Sequence, residues 1–357
     1  MANEQQRGTV VVFAGAGASK AVDPDRFPTT VDFFELLPEE ITENLFFQHI
    51  TSFLQQENED GQQIDIENIL WTIDDLKEHI EKSSDLKHIS GWFMNTSYLA
   101  HAVQQHNASM GTFSKMAPEA IQSLSCLKDD VNKQVYSLYD AIPKTEKIEE
   151  NWIFLLEILL KKYKRVELVT TNYDLVLETA IQEVRDRGFG SIAPGWKDRV
   201  LRLLDIELWT SDEKRQSHQG VLTKLHGSIN WTKYGNGIYV SDPSYRGAHD
   251  KHAIIYPGNK GVADHQPFRT LHEYFKKIVC EAHAMIFIGF AFRDQHINDL
   301  CNRNLLEGVP IAVIDIDPNI QIPISGPGTP RVQHLQSGFD RESISKAFKY
   351  IQKYTPF

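Results

Sequence analysis

The stretch Thr9–Ser19, TVVVFAGAGAS, decides the fold of this 357-residue chain. Its first six residues are apolar or β-branched without a break, which is typical of a strand buried on both faces of a parallel sheet. The glycines that follow have two explanations. They serve a tight turn from strand to helix, or they form a G-x-G loop whose backbone N–H groups approach a pyrophosphate.

The same stretch excludes two familiar nucleotide-binding motifs. Lys20 stands where the dehydrogenase fingerprint G-x-G-x-x-G has its third glycine, and no acidic residue ends a second strand about 20 residues later. The P-loop pattern G-x-x-x-x-G-K-[ST] does not occur in the sequence. The motif therefore disfavours hydride transfer and P-loop phosphate binding.

Further along the chain, strand and helix patterns alternate. The predicted strands are Val166–Thr170, Val221–Leu225, Met285–Gly289 and Ile311–Asp317, and the predicted helices include Trp152–Leu160 and Phe268–Ala282. This alternation predicts an α/β fold, a Rossmann-like doubly wound parallel sheet. Residues 31–150 instead carry amphipathic helical patterns. We therefore expect a helical insertion domain there and a Rossmann-like NAD-binding domain formed by residues 1–30 and 151–357.

Composition narrows the class of function. The chain has 37 basic and 48 acidic residues, a net charge of -11, which argues against direct binding to nucleic acid through a broad basic face. Its three cysteines, Cys126, Cys280 and Cys301, form no CxxC pair, so we expect no zinc ribbon and no bound metal. With no secretory signal pattern and no run of about 20 apolar residues, the expected compartment is the cytoplasm, away from membranes.

Polar residues follow the predicted strands at their carboxyl ends, where ligands bind in such sheets. Asn172 and Asp174 follow the second strand: Asp174 either caps the next helix or faces the site, whereas the Asn172 amide suits the orientation of a water or hydroxyl. His226 follows the third strand and is either structural or a general base. We expect Asn172 and His226 to face solvent or ligand, so that their removal leaves the fold intact.

Three aspartates complete this set. Asp294 is expected to cap the helix after the fourth strand. Asp315 or Asp317, on the fifth strand, can accept hydrogen bonds from ribose hydroxyls.

These residues, in this order, resemble the sirtuin family. The resemblance rests on Gly15–Ser19 (GAGAS), Thr170–Asp174 (TTNYD), His226-Gly227, Gly289–Ala291 and Asp315–Asp317. It implies that Asn172 and His226 take the catalytic places. It implies further that NAD, as substrate, contacts Gly15, Ala16, Gly17, Ser19, Thr171, Asp174, Gly289, Phe290, Ala291 and Asp315.

The sequence departs from the sirtuin deacylases in three features, one of which is that the segment that would pair with an acyl-lysine peptide is unrecognisable. The deacylases carry a four-cysteine zinc module between the His-Gly strand and the Gly-Thr-Ser strand, where this chain has only Cys280, so such a module cannot form. The loop reads GFAFRD over Gly289–Asp294 in place of Gly-Thr-Ser. Together with the helical insertion, this loop sequence resembles that of the bacterial sirtuin-like proteins of anti-phage defence, which degrade NAD. The resemblance implies a stand-alone effector that can work with a separate partner such as a HerA-type ATPase.

The resemblance implies an NAD hydrolase that releases nicotinamide and ADP-ribose. An ADP-ribosyltransferase, a divergent deacylase and a non-catalytic sensor of NAD or ADP-ribose stay open beside it. We also expect the insertion to gate the site and to build a homo-oligomer, because runs such as Ile64–Leu76 hold more apolar residues than one helix hides alone.

Overall fold

The computed structural model describes residues 7–29, 31–57, 64–82, 110–140, 142–197, 202–235, 237–241, 252–256, 265–324 and 331–355. The chain separates into two compact units. The first comprises Met1–Pro28, Leu138–Ile255 and Gly261–Phe357, and the second Thr29–Ser137 and Tyr256–Lys260. The domain boundaries expected from the sequence stay a prediction.

The described strands form two sheets. In chain order they are β1 (Arg7–Ala14), β2 (Tyr163–Thr170), β3 (Ile192–Ala193), β4 (Trp196–Lys197), β5 (Leu203–Leu204), β6 (Gly220–Lys224), β7 (Gly227–Tyr234), β8 (Gly237–Val240), β9 (His252–Ile254), β10 (Ala282–Ile288), β11 (Pro310–Asp315) and β12 (Arg331–Gln336). Seven of them make a sheet in the order β12-β11-β10-β1-β2-β6-β3. Every pairing in it is parallel, which confirms the expected doubly wound α/β fold.

The described helices fall in both units. They are α1 (Ala16–Lys20), α2 (Glu39–Thr42), α3 (Leu45–Glu57), α4 (Ile66–Lys82), α5 (Met110–Tyr139), α6 (Thr145–Ile148), α7 (Phe154–Lys162), α8 (Val176–Asp186), α9 (Glu207–Thr210), α10 (Asp212–Gln216), α11 (Phe268–Cys280), α12 (Gln295–Asn304) and α13 (Arg341–Tyr354). A 3-10 turn covers Asp32–Leu36 and a π turn covers Glu149–Ile153. None of the described helices is long and apolar enough to span a bilayer.

Two predicted helix boundaries are wrong. The helix predicted from Trp152 begins as the π turn, in which the Asn151 side chain accepts a hydrogen bond from the Trp152 N–H and donates one to the Lys147 carbonyl. An asparagine that bonds its own backbone competes with the α-helical pattern. The helix predicted to reach Ala282 ends at Cys280, because Ala282 already pairs with β1 as the first residue of β10.

Strand β1 lies at the centre of the sheet, and Val10–Ala14 are at most 1% exposed. Burial on both faces explains why the stretch is apolar without alternation. In the parallel register Ala14 lies beside both Thr170 and Ile288, and Thr170 lies beside Lys224. The segments that follow β10, β1, β2 and β6 therefore leave the sheet along one edge.

The second sheet is antiparallel, in the order β4-β5-β8-β7-β9. It joins the first sheet at His226, between the last residue of β6 and the first of β7. Gly227 has φ +89°, and a Cβ there would lie 2.1 Å from the Ala253 carbonyl oxygen. The turn from one sheet to the other thus requires glycine at 227 and leaves His226 fixed at the edge where the four segments leave.

Candidate functional site

The glycine-rich loops after β1 and β10 are in backbone contact. The Gly15 N–H donates to the Ile288 carbonyl and the Gly17 N–H to the Gly289 carbonyl, each at 2.9 Å. A Cβ on Gly15 would lie 2.4 Å from the Gly289 oxygen, and Gly289 itself has φ +55°. These glycines are therefore required by the packing of one loop on the other, whether or not a pyrophosphate lies beside them.

Asn172 is bonded to the first of these loops. Its Nδ2 donates to the Gly15 carbonyl at 2.8 Å and to Ser19 Oγ at 2.9 Å. Because a carbonyl can only accept, this pairing fixes which end of the amide is nitrogen. Asn172 Oδ1 accepts no hydrogen bond from the described residues, so it is the group that the side chain can offer to a water or hydroxyl.

The neighbouring Asp174 has a structural role. Its Oδ1 accepts from the Val176 N–H at 3.0 Å, whereas the N-cap of α8 is Leu175, so the alternative that Asp174 caps the helix is wrong by one residue. Asp174 is 4% exposed. It forms an Asx turn that bends the chain from β2 into α8. Thr171, in the same turn, is partly exposed.

A buried lysine ties this turn to the His226 segment. The Nζ of Lys224, 2% exposed, donates to Glu178 Oε1 and to Ser228 Oγ, both at 2.9 Å, and also to the Asp174 carbonyl. Burial raises the pKa of Glu178, and the charge of Lys224 and its hydrogen bond oppose that rise. The segments after β2 and β6, which carry Asn172 and His226, are thus held together by one side chain.

The His226 ring is buried, with 3% of the side chain exposed. Of the two expected surroundings, solvent or ligand, this burial excludes bulk solvent and leaves ligand as the alternative that stays a prediction. Its Nε2 lies 3.4 Å from Asp294 Oδ2, which is long for a hydrogen bond, and neither ring nitrogen makes a well-formed hydrogen bond with a described residue. Both nitrogens are enclosed by protein: Nε2 faces the Asp294 carboxylate, whereas Nδ1 has no hydrogen-bond partner among the described residues.

Asp294 reaches His226 from a distant strand. It follows β10, which is three strand spacings, about 14 Å, from β6 within the sheet. Its Oδ1 caps α12 by accepting from the Ile297 N–H at 3.1 Å, as expected from the sequence. Burial acts to raise the Asp294 pKa, but the contact with His226 and the Ile297 hydrogen bond outweigh it and lower the pKa. The capping pattern was readable from the sequence, whereas the contact with His226 was not.

Two further polar side chains at this edge were not singled out from the sequence. His272 in α11 is 6% exposed, its ring lies 6.4 Å from that of His226, and neither of its nitrogens is hydrogen-bonded. Burial, with smaller contributions from His226 and His296, lowers its pKa to about 3. Asn298 is 2% exposed; its Nδ2 donates to the Phe292 carbonyl at 2.6 Å, and its Oδ1 has no partner.

The other predicted contact residues differ in what they can offer. Phe290 is 6% exposed and packs on Phe13 at 4.5 Å, so its ring belongs to the core. Ala291 is exposed. Burial raises the pKa of Asp315 at the end of β11, and its Oδ1 accepts from the Asp317 N–H. Its second carboxylate oxygen remains the one that a hydroxyl can approach.

The described part of the chain contains no cluster of side chains that could bind a metal ion. There, no group of three or more His, Cys, Asp or Glu side chains could hold a metal ion. The three cysteines are unpaired. What the site does hold is an amide oxygen fixed in direction, an imidazole beside a carboxylate and two glycine loops, a set suited to proton transfer and to orienting a water.

Comparison with known proteins gives one sequence match. The family model of the SIR2-like domain matches residues 166–309. A search of curated protein sequences finds no significant match.

Similar solved structures include a Sir2 homolog in complex with NAD, at 13% identity and a TM-score of 0.38, covering 98% of this chain and 91% of that chain. A mutated Sir2 homologue with 2′-O-acetyl-ADP-ribose is 12% identical at a TM-score of 0.38, with coverages of 98% and 94%. The matched segment 166–309 holds Asn172, His226 and Asp294, and its match to the SIR2-like domain supports the resemblance of this chain to the sirtuin-like family.

Proposed function

We propose that the protein is an NAD hydrolase, which converts NAD and water into nicotinamide and ADP-ribose. The observation that carries the proposal is that Asn172 and His226 follow two adjacent strands at one edge of the sheet, within the segment similar to a SIR2-like domain. The Asn172 side chain makes both of its hydrogen bonds with described residues through Nδ2, which leaves Oδ1 unused. The buried Nδ1 of His226 has no hydrogen-bond partner among the described residues. A buried imidazole needed only for packing would have its nitrogens satisfied, so the unsatisfied Nδ1 of His226 supports a role in binding or chemistry.

The proposed reaction breaks the bond between the ribose carbon and the nicotinamide nitrogen, which keeps the electron pair. Such cleavage passes through an oxocarbenium-like state. Water then forms the new carbon–oxygen bond and gives up a proton, and His226 is the base that receives it. Asn172 Oδ1 accepts a hydrogen bond from the water or from a ribose hydroxyl and so fixes its direction.

The remaining predicted residues would hold the substrate. We propose that the pyrophosphate lies along the loops formed by Gly15, Ala16, Gly17, Ser19, Gly289 and Ala291. Thr171 and Asp315 offer hydroxyl and carboxylate oxygens to the ribose. Asp174 and Phe290 have buried side chains, so their part in the site is to shape the turn and the loop.

Hydrolysis and deacylation differ in the group that attacks the ribose carbon after nicotinamide leaves. A deacylase intercepts the oxocarbenium-like state with an amide oxygen of an acyl-lysine peptide, and its zinc module needs four cysteines, whereas this chain has three, far apart in sequence. We therefore propose water as the acceptor, with no bound metal and no deacylation of acetyl-lysine. Stoichiometric zinc in metal analysis of the purified protein would contradict this.

Incubation of the purified protein with NAD tests the proposal and its alternatives. Nicotinamide and ADP-ribose in equal amounts are the expected products by chromatography. Labelled protein would indicate an ADP-ribosyltransferase, and binding without turnover a sensor. Asn172→Ala should abolish cleavage without unfolding the protein. Because His226 is buried, His226→Gln is the better test at that position, since it fills most of the space that alanine would leave empty.

We also propose that the enzyme is cytoplasmic and acts in bacterial anti-phage defence by depleting NAD. Such an enzyme needs restraint at rest, and the burial of His226 fits a state in which the base is shielded. We propose that the helical insertion at residues 31–150 supplies this restraint within a homo-oligomer, and that a partner such as a HerA-type ATPase relieves it. A protein that is monomeric in light scattering and turns over NAD at its full rate would contradict this part.

A further inference from the structure

The contact between His226 and Asp294 joins two strands that are not neighbours. Asp294 is anchored independently of His226, because its Oδ1 caps α12 through the Ile297 N–H. That hydrogen bond leaves Oδ2 directed at His226 Nε2, 3.4 Å away. The cap therefore sets the position of the carboxylate, and the carboxylate faces one particular nitrogen of the ring.

The charges around the ring decide where its proton lies. The lowered pKa of Asp294 keeps its carboxylate ionised, so Oδ2 can only accept a hydrogen bond. A neutral imidazole carries one N–H, and the ring gains most when that N–H faces the carboxylate. The proton then lies on Nε2, and Nδ1 keeps its lone pair.

The other titratable groups near the ring do not provide a competing anion. His272 lies parallel to His226, and His296 lies 5.3 Å from His272 between ring centres. The lowered pKa of His272, about 3, keeps that ring neutral at physiological pH. Among the described groups that face this cluster, the Asp294 carboxylate is thus the one that determines which nitrogen of His226 carries the proton.

We propose that Asp294 is the positioning residue of the site: its carboxylate holds His226 in the tautomer with the proton on Nε2, so that Nδ1 is the atom that accepts the proton. The role in catalysis rests on the proposed function, whereas the tautomer itself does not. In the reaction, water gives its proton to Nδ1, and the resulting imidazolium lies against the negative carboxylate, which stabilises it.

The competing explanation is that Asp294 serves only to cap α12. Asp294→Asn separates the two, because asparagine caps helices about as well as aspartate but brings an amide that can donate to Nε2. The expected ring tautomer then has its proton on Nδ1. Asp299→Asn is the matched control: it lies on the same helix, where its carboxylate accepts from Gln295 and Arg303 on the surface.

The decisive readout is the tautomer of His226 in the full chain without NAD, measured by ¹⁵N NMR of histidine-labelled protein. The signal among the 14 histidines is assigned by its loss in His226→Gln. We expect a proton on Nε2 in the parent and in Asp299→Asn, and on Nδ1 in Asp294→Asn. A proton on Nδ1 in the parent, or the same tautomer in parent and Asp294→Asn, would overturn the proposal.

Turnover supplies the second readout. In Asp294→Asn we expect kcat for NAD cleavage to fall at least about 100-fold, with KM changed less than about 2-fold and the thermal midpoint unchanged. Asp299→Asn should match the parent. Full turnover in Asp294→Asn would refute the positioning role. A parent that never cleaves NAD would refute the proposed function instead, and the tautomer would still be decided by NMR.

Discussion

Two clusters of buried polar side chains in the same unit differ in how completely they are satisfied. The Glu167 cluster comprises Glu167, Arg165, Tyr274 and the Val221 N–H, and Glu167 is 0% exposed. Its Oε1 accepts from Arg165 Nε at 2.9 Å and Nη2 at 2.6 Å, and its Oε2 accepts from the Val221 N–H at 3.2 Å and the Tyr274 hydroxyl at 3.0 Å. Both oxygens of this buried carboxylate are fully used.

The His226 cluster, which comprises His226, His272, Asp294 and Asn298, is the opposite case. Within the described residues, the nitrogens of both histidines and Oδ1 of Asn298 make no well-formed hydrogen bond. The one polar contact of these nitrogens is the 3.4 Å approach of His226 Nε2 to Asp294 Oδ2. An unsatisfied buried polar atom costs about 1–3 kcal/mol of folding free energy. Several such atoms together therefore lower the stability of the folded protein. We infer that the Glu167 cluster supports the sheet, whereas the His226 cluster is kept for ligand and chemistry.

The largest expected effect is on catalysis in the His226 cluster. Replacing His226 by glutamine removes the proposed base, so NAD cleavage should fall by about 10²–10⁴-fold, or about 3–5 kcal/mol in barrier height. The free energy of unfolding should change far less. His218→Gln is the control, because His218 bonds Ser191 at the opposite end of the sheet. Equal loss of activity in both variants would show that the site lies elsewhere.

The next effect is on stability in the Glu167 cluster. Glu167→Ala leaves Arg165 and Tyr274 without their buried partner, so the free energy of unfolding should fall by about 3–5 kcal/mol. Turnover per folded molecule should stay as in the parent. Urea denaturation measures the first and active-site titration the second. Glu342→Ala, which breaks only the exposed pair with Lys346, should cost less than about 1 kcal/mol.

A smaller effect is expected where the two glycine loops meet. A Cβ at Gly15 would lie 2.4 Å from the Gly289 oxygen, so Gly15→Ala must push the loops apart at a cost of about 1–3 kcal/mol. We expect weaker binding of ADP-ribose as well, measured by calorimetry. Gly338→Ala has nothing within 4 Å of the new Cβ and serves as control. Unchanged binding in Gly15→Ala would remove this loop from the proposed site.

The smallest effect is a change in how stability depends on pH. The pKa of His272 is lowered in the folded protein to about 3, so between pH 6.5 and 3 the unfolded chain binds more protons there. The folded state therefore loses stability as the pH falls below 6.5, by at most about 1.4 kcal/mol per pH unit from this residue. His272→Phe should reduce the slope of unfolding free energy between pH 6.5 and 4.5. An identical slope in parent and variant would contradict the neutral, buried state of His272.

The sheet could be predicted from the sequence because its strands carry their own pattern. Val10–Ala14 are apolar on every residue, and that is what burial on both faces demands. Strand β12 (Arg331–Gln336) could not be predicted because it lies at the edge of the sheet and none of its residues is buried. Its apolar and polar residues therefore alternate only weakly. Strand β3, with two residues, is too short to leave a pattern at all.

The site was predictable one residue at a time, but its contacts were not. Asn172 and His226 stand out because they follow strands, and Asp294 was recognised as a helix cap. That Asp294 meets His226 depends on how the segments after β10 and β6 bend toward each other, which no local pattern records. His272 and Asn298 lie on amphipathic helices, where a single buried polar residue looks like any other interruption of the apolar face.

If the edge that holds the His226 cluster binds NAD, ADP-ribose will bind there as well, and hydrogen exchange with and without ADP-ribose will show it. ADP-ribose is the proposed product, so it occupies the site without turnover. We expect slower exchange at saturation in the segments after β1, β2, β6 and β10, which include Gly15, Asn172, His226 and Gly289. Residues around Arg165 and Glu167 should be unaffected. Protection confined to that second region, or none at millimolar ADP-ribose, would contradict the account.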